Sequence, residues 1–334
     1  MRSGDDSDGE REVPAVPVTT SVKPNSTGTR RRWFLIKLAA MATGVLLLVG
    51  AIALVWTQHD RITSALEAMS QPQPGPIVIL LLSMVATLMV TGLQFQLLLS
   101  RHRIPAMEMQ GLITGSALLN FLPLKAGLLG RIAYHQVVHG IRPMETAQAM
   151  ILARVAGLVA ITITAVSLFC RDWLDGQLWA WALVPAALPG WFLLLSMTRT
   201  AGLVVLLKYV DLLLMAVRYQ CAFMLMNEPI GFDVCMALAA IGMLAGAIPF
   251  LTGGLGLREW LVGWLTTGLV TLPAALEIGL LADLVNRAAE LIVLIPLGGL
   301  AIFWLRPRFT TAMARRRAMM AAAVNPEQSP GPEP

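Results

Sequence analysis

Two stretches decide the fold: Pro123-Leu-Lys125-Ala-Gly127-Leu128-Leu-Gly130-Arg131 and Pro249-Phe-Leu-Thr-Gly253-Gly254-Leu-Gly256-Leu-Arg258-Glu259. Proline, glycine and glycine hold the same register in both, and each copy brings fixed charge into an apolar stretch. Proline removes a backbone donor and clashes with the preceding turn, so a helix ends or kinks at Pro123 and at Pro249. In a bilayer such a break is tolerated only where its backbone is buried in protein or lines a polar cavity. Two breaks in corresponding halves of a chain point to a transport site.

The surrounding sequence is that of a membrane protein. Of the 334 residues, 56% are hydrophobic and 13% charged, with a mean hydropathy of +0.69, whereas soluble domains carry about 25% charged residues. Spans are expected over 33–56, 77–99, 146–169, 178–197, 201–226 and 273–305, each long enough for a hydrocarbon core, which needs roughly 20 residues. Pro185 and Pro189 should kink the fourth. The fold class is therefore all-α. We expect a polytopic helical bundle of about six full spans plus two broken helical hairpins. Residues 1–30 are polar and read as a disordered tail, residues 31–306 as the transmembrane domain, and residues 307–334 as a basic, then disordered tail.

Charge orients the bundle. Arg30–Arg32, Arg101, Arg103, Arg131, Arg142, Arg199 and the cluster through Arg315–Arg317 fall on one side, while the opposite loops carry Arg61, Arg171 and several acids. Basic loops stay cytoplasmic, so both termini are expected there. Residues 107–141 then leave and return on the cytoplasmic side, and residues 234–270 on the opposite side. Two re-entrant hairpins in an inverted repeat satisfy this; arms that cross fully satisfy the same parity. The net charge of +5 is a topology signal, and no nucleic-acid module accompanies it.

Ionisable residues inside spans mark function or internal pairing, because a charge at the bilayer centre costs about 3 kcal/mol or more. Asp283, Arg287 and Glu290 share one helix face, bordered by Asn286. That stripe either fixes packing or lines a pathway. Arg154 and Lys208 can snorkel, whereas Asp211 and Arg218 are secondary candidates within their span. Arg258 and Glu259 open the helix after the second break, where free N–H groups favour an anion such as a lipid phosphate. Arg131 and Lys125 stand likewise at the first. Gly127, Gly253, Gly254 and Gly256 allow either close approach to a substrate or close helix packing. Cys170, Cys221 and Cys235 lack metal-ligand spacing, and His135 and His139 stand at i, i+4 without an acidic partner motif. No catalytic constellation, metal site or cofactor is called for.

These residues resemble the lysylphosphatidylglycerol synthase transmembrane-region family, a flippase-like domain, over roughly residues 33 to 306. The family motif P-x-R-x-G-E-x-x-R is similar to Pro123–Arg131, with Lys125 for its Arg and Leu128 for its Glu. The motif P-x-x-x-G-G-x-G-x-x-E is matched by Pro249–Glu259. Arg154 and Arg287 are similar to family arginines in the adjoining and last helices. An acid common shortly after the Arg154-type residue is absent, Gly157 standing near there. The chain stops soon after the last span, so no aminoacyl-transferase domain is expected with it. The resemblance implies a bacterial inner-membrane translocator whose substrates are membrane lipids. From the charged faces and helix starts above, a headgroup is expected to be held by Arg131, Arg258 and Arg287, with Asp283, Glu259 and Glu290 as their counter-charges. A lipid-modifying enzyme using His135 and His139, or a non-catalytic partner of lipid-biosynthesis enzymes, are the alternatives. A homo-oligomer is compatible with all three.

Overall fold

A computed structural model describes residues 27–58, 63–71, 73–121, 126–169, 199–247 and 254–324. Pro123, Lys125, Pro249, Gly253, Cys170 and the span expected over 178–197 lie outside the described residues. The chain divides into Met1–Ile36, described only from Thr27 onward as helix, and a main unit, Lys37–Pro334. Every regular element among the described residues is helical. The helices are α1 (Thr27–Thr57), α2 (Thr63–Ser70), α3 (Pro74–Leu98), α4 (Ala106–Leu119), α5 (Ala126–Val138), α6 (Pro143–Phe169), α7 (Arg199–Leu225), α8 (Phe232–Ala247), α9 (Leu257–Leu269) and α10 (Ala275–Val324).

Four of these are long and apolar enough to cross a membrane: α3, α6, α7 and the Ala275–Met320 part of α10. Their outer faces expose large apolar side chains such as Leu82, Ile151 and Phe303. Arg218, Glu259, Asp283, Arg287 and Glu290 are buried instead, Glu259 and Asp283 fully, whereas Arg154 of α6 is exposed. A chain dissolved in lipid needs this arrangement, because lipid tails accept leucine and reject charge.

Local chemistry sets the helix boundaries. Proline opens α3 at its first position, and Pro143 opens α6; a missing N–H costs nothing there. Gly140 closes α5 at φ 68°. Its left-handed backbone lets the His139 and Ile141 N–H groups both donate to the His135 carbonyl, at 3.1 Å each, a Schellman-type end. The last helix differs from expectation. It does not stop near Leu305 but runs to Val324, through Pro296 and Pro307. The Ala-, Arg- and Met-rich residues after Pro307 are strong helix formers, and one lost hydrogen bond does not stop them.

Neither α4–α5 nor α8–α9 has a membrane-length helix. The four hold 14, 13, 16 and 13 residues, about 20–24 Å each at the helical rise. The start of α4 meets the end of α5 where Tyr134 donates to Glu108 at 2.6 Å, and Arg308 of α10 joins them at 3.0 Å. This is the bundle's basic end. The start of α8 and the end of α9 instead pack with Met226, Ile230 and Leu272 at the other end, beside Glu228 and Asp233. Main-unit α1 packs on the start of α9, where Trp260 Nε1 donates to the Leu47 carbonyl at 3.0 Å.

Candidate functional site

The helix after the second break carries Arg258 and Glu259 in its first turn, beyond Gly256 at φ 78°. A Cβ on Gly256 would run into the Gly44 carbonyl of α1. Glycine therefore sets the angle at which α9 leaves the break, and that angle aims Arg258 and Glu259 at α10. Asp283, Arg287 and Glu290 on one face of α10 meet them, as does Arg218 from α7.

The pairing runs between helices. Arg258 reaches Asp283 at 2.8 Å and Glu290 at 3.1 Å. Arg287 reaches Glu259 at 3.1 Å and Glu290 at 3.5 Å. Arg218 lies 3.5 Å from Glu290, and the Tyr219 hydroxyl donates to Asp283 at 2.6 Å. Three arginines thus face three carboxylates, so the network is neutral. Removing one member of such a buried set strands a charge and typically costs about 3–5 kcal/mol. Glu259 Oε2, Asp283 Oδ2 and both side-chain polar atoms of Asn286 are buried without a hydrogen-bond partner. The cluster therefore keeps unused polar capacity in its interior.

Beside the network lies a cavity of about 370 Å³, lined by residues of α3 through α10. Arg218, Arg258, Arg287 and Glu290 form one wall, Arg131 and Arg154 another. The second wall has a different electrostatic character. Arg131 donates to Ser116 Oγ at 2.6 Å and lies 4.4 Å above the Phe95 ring. Arg154 donates to the Gly246 carbonyl at 3.1 Å. Neither meets a carboxylate among the described residues. Leu128 also lines this space; the acid expected in the resembling motif would enter the cavity there. Lys208 lines it too, but pairs with Asp211 at 3.0 Å. The excess positive charge therefore belongs to Arg131 and Arg154.

Arg131, Arg154, Arg258 and Arg287 line one cavity, and Arg258 and Arg287 are engaged there by carboxylates. Asp211 and Arg218 separate: Arg218 joins the network, whereas Asp211 neutralises Lys208. The described glycines turn to protein. A Cβ on Gly127 would overlap the Ser116 carbonyl, and one on Gly254 would press on the Ala245 backbone. Close helix approach is thus what they supply, and neither lines the cavity. His135 is fully buried and does not line this cavity, whereas His139 lies 3.2 Å from Glu108. Tyr219, Ser116, Phe95 and Glu108 escaped the sequence reading. Only Tyr219, a polar neighbour of Arg218 in an apolar span, and Glu108, an acid at the foot of an apolar segment, left a signal to find. Comparison with protein-family models, curated proteins and solved structures finds no match to this chain.

Proposed function

We propose that this protein is a lipid translocator of the bacterial cytoplasmic membrane, moving an anionic or phosphate-linked headgroup between leaflets. One observation carries the reading: Arg131 and Arg154 bring two unneutralised charges to a cavity among membrane-length helices, beside a neutral ion network. In a low-dielectric site two such guanidinium groups favour an anion, and their planar forks suit phosphate oxygens.

Size and position support it. The cavity of about 370 Å³ corresponds to about twelve liquid-water volumes. That suits a headgroup. Arg154 is itself exposed, on a helix face that presents Ile151, Leu152 and Val155 outward. A headgroup can reach the cavity past Arg154 while its chains stay in lipid. The short pairs α4–α5 and α8–α9 act as re-entrant hairpins from opposite faces, an inverted repeat on which alternating access is built. The basic end faces the cytoplasm. Arg258 and Arg287 exchange between their carboxylates and the passing headgroup. This mechanism agrees with the flippase-like resemblance of the two motifs.

Purified protein in proteoliposomes should accelerate leaflet exchange of a fluorescent phosphatidylglycerol, hopanoid or lipid-linked sugar over protein-free vesicles. Exchange of all three at the protein-free rate sinks the proposal.

A further inference from the structure

A second cavity lies at the basic end of the bundle. Its volume is about 890 Å³, within the roughly 300–1,000 Å³ of small-molecule sites. One wall is the α5–α6 junction, from Gln136 to Pro143; the other is the part of α10 beyond its apolar stretch. The first wall is fixed. Gly140 locks the end of α5 and Pro143 starts α6, as described above. Across the cavity floor, buried Glu108 accepts from Tyr134 at 2.6 Å and from Arg308 at 3.0 Å. Arg308 is also held 4.4 Å above the Trp304 ring.

The charge in this cavity is one-sided. Arg142, Arg308, Arg315 and Arg316 line it, against the single carboxylate of Glu108. Arg308 already holds that carboxylate. Arg142, Arg315 and Arg316 have no acidic partner among the described residues. The arginines of α10 are also phased. Arg308, Thr311, Ala312, Arg315, Arg316 and Met319 follow helical spacing and share the face that lines the cavity. Arg306 and Arg317 fall on other faces of the same helix. A purely topological basic cluster needs no such phasing.

We infer that this cavity is a second anion site, separate from the one in the bundle interior, and that it takes a phosphate ester or diphosphate carrying at least two negative charges. Arg315 and Arg316 from one wall and Arg142 from the other bind the phosphate oxygens, and Arg308 fixes the floor. A single carboxylate ligand would leave two of the three free guanidinium groups unmatched; a polyanion uses them all. The site lies beyond the apolar part of α10, so either a soluble phosphoester or a lipid headgroup reaches it.

Calorimetry on the full-length protein in phosphatidylcholine nanodiscs tests this with inorganic pyrophosphate. A parallel titration of detergent-solubilised protein uses a short-chain phosphatidic acid. Arg315→Gln/Arg316→Gln should weaken binding at least about tenfold, as expected for two lost charge-assisted contacts. Arg306→Gln/Arg317→Gln removes the same charge from other faces and should change it less than about twofold. Size-exclusion elution at the wild-type volume checks that each variant is folded. Pyrophosphate binding with this pattern assigns a soluble ligand, and phosphatidic acid binding alone assigns a lipid headgroup. No binding of either probe, or equal weakening by both double variants, overturns the site.

Discussion

Glu290 touches three guanidinium groups, those of Arg218, Arg258 and Arg287, whereas Arg131 touches a hydroxyl and an aromatic ring. The two environments predict opposite phenotypes for the same chemical change. Arg287→Gln strands Glu259, fully buried, and should destabilise the fold by about 3–5 kcal/mol. Arg131→Gln strands no charge and should cost at most about 1–3 kcal/mol, the loss of its link to Ser116, while removing a charge on which the proposed translocation depends. Thermal unfolding in detergent and lipid exchange in proteoliposomes separate the two. A stable, fully active Arg131→Gln protein contradicts the role given to Arg131. Leu128→Glu probes the same wall from the other sign. It places a carboxylate in the cavity facing Arg131 and Arg154, and should slow exchange of an anionic lipid at least about tenfold, the effect of about 1.4 kcal/mol. Unchanged exchange would show that the excess charge of this wall does not select the cargo.

At the scale of the element, the two glycines of the first motif have different work. Gly127 sits where a Cβ would overlap the Ser116 carbonyl, while a Cβ on Gly130 would meet nothing nearer than Leu119 at 4.0 Å. Gly127→Ala should destabilise by about 1–3 kcal/mol through overpacking of α4 on α5. Gly130→Ala should be neutral, or stabilise by up to about 1 kcal/mol through helix propensity. Unfolding midpoints of the two variants check this; equal shifts would refute the packing account. The sequence could not separate these glycines, because register is a property of one chain and close approach belongs to two helices. The same limit explains the rest of the reading. The stripe Asp283, Arg287, Glu290 was legible because helical period alone puts those residues on one face. That Arg258 serves Asp283 and Glu290, and so leaves the surplus charge to Arg131 and Arg154, depends on how α9 meets α10, and no spacing encodes it. The run of α10 past Pro307 lies beyond the apolar stretch 273–305, so hydropathy does not reveal it, although the residues that follow are strong helix formers.

At the scale of the molecule, charge and hairpins are polarised together. The ends of α4 and α5 meet Arg308 of α10, whereas the start of α8 lies at the opposite end, beside Glu228 and Asp233. If α4–α5 is re-entrant, its tip stays within the bundle. If its arms cross fully, the tip emerges at the acidic end. Phe121 stands at that tip and lines the inner cavity. Met107 at the foot of α4 is 76% exposed, and Asn227 closes α7 at the acidic end. In a background with Cys170, Cys221 and Cys235 replaced by Ser, single cysteines at 107, 121 and 227 report the path. A maleimide carried on a long polyethylene glycol is too bulky for the inner cavity. In intact cells it should modify the cysteine at 227 alone. After permeabilisation it should also modify the one at 107, while the one at 121 stays protected until the protein is unfolded. Modification at 121 in intact cells would mean that α4 and α5 both cross the bilayer, and the inverted pair of hairpins would have to be abandoned.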